Sequence, residues 1–277
     1  MAYFSITSDV RQPAVAGLFY PENPGPLRAL IQRLQANSQI DVRLPTPPKA
    51  LIVPHAGYPY SGAVAAAGFG LLKTLRETVT RVVLIGPIHR LYLRGIALPQ
   101  ARVFATPLGE ISIDDEGRNR LVKRGDVLAS DTPHAMEHCL EVQLPFLQAM
   151  LRDFSLLPLI VGSTTAEHVA AVLSEVWGDE ETVILASSDL SHYLTYESAQ
   201  RLDKVTAAAI GNRQTDLTQQ QACGAAAING LLLVAKERGL EVTEIARLNS
   251  GDTSGDVERV VGYGAFALHE PRRRTAQ

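Results

Sequence analysis

Ala50-Leu-Ile-Val-Pro-His-Ala-Gly-Tyr58 is an uncharged stretch in which four apolar residues run directly into a proline, a histidine and a glycine. A similar pattern occurs twice more. Val82-Val-Leu-Ile85 leads into a Gly-Pro-Ile loop that ends at His89, and Val183-Ile-Leu185 leads into a polar loop that ends at His192. Short, continuously apolar runs bounded by glycine and proline are typical of strands buried on both faces. The three stretches therefore predict a sheet whose strands end at histidine-bearing loops.

The rest of the chain alternates apolar runs with longer amphipathic segments, which is typical of an α/β fold. Strands are predicted at residues 50–53, 82–85, 96–98, 155–161 and 182–186, with closing strands at 242–248 and 260–268. Helices are predicted at residues 60–75, 137–151, 165–177, 198–210 and 223–238. No repeat or low-complexity linker interrupts this series. We therefore expect a single domain spanning residues 1–277, with a mostly parallel or mixed central sheet and helices on both faces.

The two ends of the chain differ from this alternating body. Proline clusters at residues 21–26 and 45–48 mark loops, and apolar residues between them recur at helical spacing. We expect residues 1–48 to form loops and one helix that packs on the body of the protein. Residues 270–277 carry three arginines and are expected to form a solvated tail.

Charge, cysteine count and missing motifs exclude several functional classes. The 277 residues have a formal net charge of −3, so there is no broad basic field for nucleic acid or an anionic membrane. Two cysteines are too few for a disulfide scaffold and suit a reducing compartment. The chain has no glycine-rich phosphate loop, dinucleotide-binding fingerprint or serine-nucleophile elbow. These absences remove the main sequence arguments for nucleotide binding and serine-esterase chemistry.

The sequence also favours a cytoplasmic location. Residues 1–9 have neither the cationic start nor the apolar run of a signal peptide. The longest uncharged stretch, residues 50–72, contains a histidine, two prolines and several glycines, so we interpret it as strand, loop and helix instead of a membrane span. We expect no membrane partner.

Three histidines follow predicted strands, at the edge of an α/β sheet where ligands usually bind. They are His55, His89 and His192. A single imidazole in such a loop often only hydrogen-bonds a carbonyl group. If the three strands are neighbours, however, the imidazoles converge on one crevice, where they can bind a metal or exchange protons near neutral pH.

Cys223 is a fourth candidate because it opens the predicted helix at residues 223–238. A thiol at a helix N-terminus faces unpaired backbone N–H groups and the positive end of the helix dipole, which favour the thiolate form that binds metals. The alternative is that Cys223 is a small buried apolar residue, the commoner role of a free cysteine. We assign that role to Cys139, which fits the apolar spacing of its predicted helix.

A weaker signal is His134-Ala-Met-Glu137-His138, which matches the inverted zinc-peptidase pattern H-x-x-E-H. Asp-Thr-Pro at residues 131–133 should stop a helix from extending backward, which would leave the His134 side chain poorly fixed. We favour a different interpretation, in which Glu137, His138 and Glu141 point towards the crevice as orienting or acid/base groups. The alternative interpretation is that these three residues lie on a solvated face of the helix.

Several motifs, taken together and in order, point to one known family. They are Ala16-Gly-Leu-Phe-Tyr20; Val53-Pro-His-Ala-Gly-Tyr58 with Tyr60-Ser-Gly62; Leu84-Ile-Gly-Pro87 with His89; Ala105-Thr-Pro-Leu108; Glu137-His138 with Glu141 and Leu144-Pro145; Ser187-Ser-Asp189 with His192; Cys223-Gly224; Asn249-Ser-Gly-Asp-Thr-Ser-Gly-Asp256; and Val260-Val-Gly-Tyr263. This series resembles the Memo family, known in bacteria and archaea as AmmeMemoRadiSam system protein B. The resemblance covers nearly the whole chain.

The resemblance implies a fold like that of the class III extradiol ring-cleaving dioxygenases, which hold non-haem Fe(II) with two histidines and a glutamate. By this resemblance His55 and His89 match the metal-binding histidines, and Cys223 stands where the dioxygenases have their carboxylate. His192 matches their acid/base histidine. A thiolate in place of a carboxylate makes a softer site, so we expect one metal ion, with iron or copper favoured and zinc possible.

The chain departs from the family pattern at three positions near these residues. Arg90 follows His89, where the family often has a second histidine, and Cys139 stands where serine is usual. Ala225 follows Cys-Gly, where arginine occurs in the family. These changes alter the expected charge and shape of the pocket but remove no proposed ligand.

The expected function is metal-dependent redox or oxygenase chemistry on an unknown small molecule. We expect catalytic roles for His192, Glu137, His138 and Asp189, and a substrate pocket lined by Tyr58, Tyr60 and Glu141. Two alternatives stay open: a non-catalytic binding or adaptor protein that retains the crevice, and a partner of AMMECR-like and radical-SAM proteins, as the bacterial family name suggests.

Overall fold

Strands and helices alternate along most of the chain. The computed structural model describes residues 9–38 and 42–272, so the predictions for residues 1–8 and 273–277 lie outside the described residues. In chain order the elements are β1 (Val10–Arg11), α1 (Pro24–Asn37), β2 (Pro48–Val53), α2 (Tyr58–Gly70), β3 (Arg81–Pro87), β4 (Ile96–Leu98), β5 (Val103–Thr106), β6 (Gly109–Ser112), α3 (Asp115–Arg124), β7 (Val127–Ala129), α4 (Thr132–Ala135), α5 (Leu144–Met150), β8 (Ser155–Val161), α6 (Ala166–Glu175), β9 (Thr182–Ser187), β10 (His192–Leu194), α7 (Tyr196–Gly211), α8 (Ala225–Glu237), β11 (Glu241–Asn249), α9 (Gly251–Ser254) and β12 (Val260–His269).

The main sheet is mixed, with a parallel centre. Its strand order is β10-β12-β2-β9-β3-β8-β4-β7, and β11 pairs with β12 outside this path. Strands β2, β9, β3 and β8 run parallel to their neighbours, whereas β12 and β4 flank them in the antiparallel direction. The three strands that precede the predicted histidine loops are therefore adjacent, in the order β2, β9, β3. The predicted α/β architecture is confirmed.

Helices cover both faces of this sheet, as its continuously apolar central strands predict. Side chains alternate along β2, so Ile52 joins one buried cluster and Leu51 joins another on the opposite face. The first cluster includes Leu231 of α8 and residues of α6. The second includes Phe69 of α2 and Leu27 of α1. Burial on both faces holds the parallel strands and the loops at their carboxyl ends in fixed positions.

A second, small sheet was not predicted. It consists of β1, β5 and β6, with β1 parallel to β5 and β5 antiparallel to β6. These strands contain two to four residues each, and β6 is largely exposed, so they lack the long apolar run by which the central strands were recognised. The small sheet matters because β1 carries Arg11, a buried side chain close to the site.

The predicted helix over residues 137–151 is wrong in its first half. A 3₁₀ turn occupies Glu141–Gln143 and α5 covers only Leu144–Met150, so residues 137–140 are irregular. The Glu137 carboxylate explains the difference, because it accepts hydrogen bonds from the backbone N–H groups of His138 and Cys139. A side chain that binds nearby backbone donors competes with helix formation.

Other helix boundaries differ by smaller amounts. The predicted helix 60–75 is α2 followed by a 3₁₀ turn at Leu71–Leu75, and α8 begins at Ala225, two residues after Cys223. Pro24 and Pro26, interpreted as loop markers, lie in the first turn of α1. Proline is tolerated there because the first helical N–H groups have no intrahelical acceptor. Within the described ranges, none of the helices has the length and apolar character needed to cross a membrane.

Candidate metal centre

Four side chains meet where β2, β9 and β3 end. His55 follows β2, His89 follows β3, and His138 reaches the same place from the irregular segment before α5. The ring centroid of His55 lies 5.1 Å from that of His89 and 5.5 Å from that of His138. The ring centroids of His89 and His138 are 4.8 Å apart. One nitrogen from each ring lies within 4.8 Å of the other two, a spacing that can hold a metal ion. Cys223 Sγ is 3.3 Å from His55 Nε2.

Glu137 positions two of these histidines. Its Oε2 accepts the backbone N–H of His89 at 2.7 Å, and its Oε1 lies 2.9 Å from His89 Nδ1. The same Oε1 lies 3.1 Å from His138 Nδ1. Burial alone would raise the pKa of Glu137, but hydrogen bonds from His138 and His89 outweigh burial and hold this pKa well below its usual range. Glu137 is therefore a carboxylate, and His89 donates to it from Nδ1, which in the neutral imidazole leaves the Nε2 lone pair free.

The hydrogen bonds of Ser187 determine the tautomer of His55. Ser187 Oγ donates to the carbonyl oxygen of Cys139 at 2.6 Å and accepts from Gln143 Nε2 at 2.8 Å. Because its only hydrogen is used, this oxygen accepts from His55 Nδ1, 2.9 Å away. The His55 Nε2 lone pair then faces the site. Asp189 Oδ1 fixes the same loop by accepting the backbone N–H of His55 at 2.7 Å.

His55 is a neutral imidazole. Its side chain is buried, and burial together with the neighbouring His89 and His138 places the pKa of His55 well below its ordinary value. A neutral imidazole is the form that binds metals. The imidazole with a donating Nδ1 and a free Nε2 is also the arrangement that hydrogen-bonded metal ligands commonly have.

The environment of Cys223 differs from the prediction. Burial, followed by the nearby Asp189 carboxylate, raises the pKa of the Cys223 thiol to about 12, although Ser188 and backbone groups of Asp189 and Gly224 act in the opposite direction. The N-terminus of α8 therefore does not produce a thiolate by itself, because Cys223 precedes the helix and is half-buried. The Gly224 N–H already donates to Ser188 Oγ at 2.9 Å.

Cys139 belongs to a second possible ligand group, with His89 and Glu137. Its side chain is fully buried, and Sγ donates to the carbonyl oxygen of Pro87 at 3.0 Å. Burial raises the pKa of the Cys139 thiol well above its ordinary value. The Glu137 carboxylate is also occupied by backbone donors. Cys139 thus has the features of a small buried residue, in agreement with its predicted role.

His192 and Asp189 lie at a cavity of about 910 Å³ that opens onto the three imidazoles. His192 Nδ1 is 2.9 Å from the carbonyl oxygen of Leu190, so Nδ1 is the donor, and in the neutral imidazole Nε2 carries the lone pair. The lining consists of His55, Pro87, Ile88, His89, His138, Asp189, His192, Tyr193, Leu194, Leu202, Gln219, Gln220 and Cys223. Every residue predicted as a metal ligand, and three of the four predicted as catalytic, line this one cavity.

Glu141 does not line this cavity, contrary to its predicted place in the substrate pocket. It is fully buried and accepts hydrogen bonds from Arg11 Nη1 at 2.7 Å, from the backbone N–H groups of Ala14 at 2.7 Å and Val15 at 2.9 Å, and from Tyr20 Oη at 2.7 Å. The irregular segment before it turns Glu141 away from Glu137, because the two residues do not share a regular helix. Glu141 instead binds the segment that follows β1 to the body of the protein.

The two predicted pocket tyrosines also lie outside the lining of this cavity. Tyr58 is buried and donates to the carbonyl oxygen of Val142 at 2.7 Å, so it packs between α2 and the segment before α5. Tyr60 is half-exposed in the first turn of α2. Both residues directly follow the His55 loop in the sequence.

The sequence did not indicate three supporting residues. Ser187 orients His55, Gln143 donates to Ser187, and Arg11 pairs with Glu141. Ser187 lies in the Ser-Ser-Asp motif, so a motif signal existed for it. Arg11 contacts groups more than 120 residues away, as in its hydrogen bond to the Glu137 carbonyl oxygen, and no local pattern reveals such a pairing.

His134, from the peptidase-like pattern, is a buried structural residue that should make stability depend on pH. Burial and the Arg11 charge lower its pKa from 6.5 to about 3. Between these two pH values the unfolded chain binds more protons than the folded chain, so the free energy of unfolding falls as the pH falls. The slope from this residue is about 1.4 kcal/mol per pH unit.

We expect the His134→Gln variant to lose this contribution, because glutamine cannot titrate but can still donate to the Ala97 carbonyl oxygen, which lies 3.2 Å from His134 Nε2. Urea unfolding of the wild type and the variant between pH 6.5 and 4 measures the difference. Identical slopes in the two proteins would contradict this prediction.

The fold and the site together define a class: an α/β protein with a mixed sheet and a crevice lined by histidines and a cysteine at the carboxyl ends of its parallel strands. Comparison with known proteins then identifies the family. The model of the family described as Memo-like protein matches residues 11–267. The chain belongs to the Memo family.

Curated relatives agree over nearly their full length. A MEMO1 family protein of Aquifex aeolicus is 34% identical over 269 residues, covering 92% of this chain and 97% of that protein. One from Methanosarcina mazei is 36% identical over 279 residues, covering 94% and 99%. A solved structure of an uncharacterized Escherichia coli protein, JW3007, has a TM-score of 0.50 at 12% identity, covering 79% of this chain and 98% of that one. This last similarity concerns the fold alone.

Proposed function

We propose that this chain binds one metal ion between His55, His89 and Cys223 and acts with it on a small molecule by redox or oxygenase chemistry. The observation that carries the proposal is that His55 and His89, together with His138, have ring nitrogens within 4.8 Å of one another, and that Cys223 adjoins this group through His55. His55 Nε2 lies 3.3 Å from Cys223 Sγ, and the His55 and His89 rings are 5.1 Å apart.

The residues around the centre fit a metal better than they fit a purely structural role. His89 is oriented by the Glu137 carboxylate and His55 by the Ser187 hydroxyl, so each presents an Nε2 lone pair. Carboxylate and hydroxyl partners of this kind commonly fix the ring orientation of metal-bound histidines. Four imidazoles beside one thiol, with Glu137 as a buried carboxylate, also favour a cation over an anion in this space.

The thiol determines which metals fit. Binding of a cation deprotonates a coordinating thiol, so the high pKa of free Cys223 does not prevent ligation. Two imidazoles and a thiolate form a softer donor set than two imidazoles and a carboxylate, which favours copper(I), thiolate-bound iron or zinc. Iron or copper would supply one-electron chemistry to the site. His138, whose ring lies 4.8 Å from that of His89, is a further nitrogen donor within reach.

The remaining groups handle substrate and protons. His192 is fixed by its Nδ1 bond to Leu190 and keeps an Nε2 lone pair at the cavity, so it can accept a proton from a bound molecule and later return it. Asp189 holds the His55 loop through the backbone N–H. The cavity of about 910 Å³ is large enough for a small organic molecule.

Metal titration of the two cysteine variants tests the proposal. The purified chain, stripped with chelator, should bind one equivalent of copper(I) or iron(II), and Cys223→Ala should weaken copper(I) binding by about tenfold or more. Cys139→Ala is the matched control, because it removes a thiol that is bonded to a carbonyl oxygen, and it should bind like the wild type. Equal affinities in the wild type and Cys223→Ala would overturn the proposed ligand set.

A further inference from the structure

We propose that Tyr193 is a specificity-determining residue of this site, and that its ring is the surface on which a planar ring of the substrate stacks. The inference rests on the proposed function only in assuming that the substrate occupies the cavity beside the histidines. It follows from the backbone conformation of Tyr193, from the position of its ring, and from the charge next to that ring.

Tyr193 has an unusual backbone conformation. Its φ of 59° lies in the left-handed region, which bulky side chains rarely adopt. The residue is the bulge of β10, because His192 pairs with Val261 and Leu194 pairs with the adjacent Val260. Glycine is the usual residue in a left-handed bulge position, and bulges near active sites redirect a side chain. A tyrosine is therefore held where the backbone favours glycine.

Arg213 has a similar conformation but an evident structural reason for it. Its φ is 57°, it lies two residues after α7, and its backbone N–H donates to the carbonyl oxygen of Ile210. Its side chain also donates to the carbonyl oxygen of Leu240 at 2.8 Å. Arg213 thus terminates a helix, as left-handed residues commonly do. Tyr193 terminates no helix and is next to His192, and strained residues cluster at functional sites.

The Tyr193 ring lies at the mouth of the cavity. It is 65% exposed, which is high for a large aromatic side chain, and it lines the same cavity as His55, His89 and His192. Its centroid is 5.7 Å from that of His192 in an edge-to-face arrangement. A molecule bound in this cavity beside His192 is therefore within reach of the tyrosine ring.

The charge next to the ring favours a flat neutral or anionic ring over a cation. Aromatic faces bind both planar rings and cations. The Arg259 guanidinium lies over the Tyr193 ring, 5.0 Å from its centroid, so its positive charge repels a second cation. Stacking of a planar group is the interaction that this arrangement leaves available.

Two probes with the same carbon skeleton test the inference. They are 2-naphthol, which is planar, and decahydro-2-naphthol, which is not; the first is titrated by its fluorescence and the second by displacement. We expect the metal-free full-length chain to bind 2-naphthol about 2- to 12-fold tighter, the range of an aromatic pair. Tyr193→Phe should keep this preference and Tyr193→Leu should abolish it. Equal affinity for the two probes in the wild type, including no binding of either, or a preference that persists in Tyr193→Leu, would overturn the inference.

The same substitutions separate this inference from the metal proposal. Tyr193→Leu should take up as much copper(I) as the wild type. Loss of metal binding in the wild type together with a Tyr193-dependent ring preference would contradict the proposed function alone.

Thermal unfolding tests the strain independently. Tyr193→Gly and Tyr193→Ala both remove the ring, and glycine should melt about 2–4 °C above alanine because only glycine adopts a positive φ without strain. If Tyr193→Ala melted at the same temperature as Tyr193→Gly or at a higher one, the backbone strain on which the inference rests would be contradicted.

Discussion

Replacing Glu141 with alanine is expected to lower the free energy of unfolding by about 3–5 kcal/mol, because it leaves a buried charge without its partner. The Arg11 side chain is 4% exposed and that of Glu141 is fully buried. Arg11 Nη1 lies 2.7 Å from Glu141 Oε2. The same carboxylate accepts from the backbone of Ala14 and Val15 and from Tyr20 Oη. The substitution leaves four hydrogen-bond donors without an acceptor, and each unpaired buried donor lowers the free energy of unfolding further.

Denaturant unfolding of Glu141→Ala measures this effect, and Glu77→Ala is the matched control. Glu77 also pairs with an arginine, Arg152, at 3.1 Å, but both side chains are about two-thirds exposed. Such a surface pair contributes about 0–1 kcal/mol. If the two variants lost similar stability, Glu141 would not hold the segment after β1 to the body.

Replacing Glu137 with glutamine is expected to lower metal affinity by about 10- to 100-fold, the range for groups that orient metal-bound histidines. Glutamine has one acceptor oxygen in place of two, and its NH₂ group faces the His89 N–H groups that now donate to the carboxylate. The His89 ring then loses the partner that fixes its tautomer and orientation. Isothermal titration with zinc, measured against a competing chelator, gives the affinity.

Glu110→Gln is the control for this substitution, because Glu110 is exposed on β6. It should bind zinc as the wild type does. Circular dichroism and unfolding of Glu137→Gln without metal show how far the loop has rearranged. An affinity within twofold of the wild type, in a folded Glu137→Gln variant, would mean that His89 needs no carboxylate.

The central strands and their histidine loops were predictable from local pattern. The apolar runs at 82–85 and 155–161 fall within β3 and β8. A strand buried on both faces is apolar at every position, so it can be recognised without knowing which strands it pairs with. The position of His55 and His89 at one edge of the sheet then follows from parallel pairing alone. The fold class and the placement of these two histidines were predictable for this reason.

Long-range side-chain pairings were not accessible. Glu137 and Glu141 look equivalent in the sequence, four residues apart, yet one orients His89 and the other binds Arg11 across 130 residues. The difference arises because the Glu137 side chain accepts backbone hydrogen bonds from His138 and Cys139, and these bonds take the place of the helix that the apolar pattern predicts. The acidity of Cys223 was mispredicted for a related reason, since burial and the nearby Asp189, two tertiary features that the sequence does not show, raise the pKa of its thiol.

X-ray absorption spectroscopy of the zinc-loaded protein tests the central claim most directly, because zinc–sulfur and zinc–nitrogen distances differ. We predict one sulfur at about 2.3 Å and nitrogen ligands at about 2.0–2.1 Å. The sulfur signal should disappear in Cys223→Ala and persist in Cys139→Ala. A nitrogen-only shell in the wild type, as three imidazoles from His55, His89 and His138 would produce, or loss of sulfur in Cys139→Ala, would contradict the proposed centre.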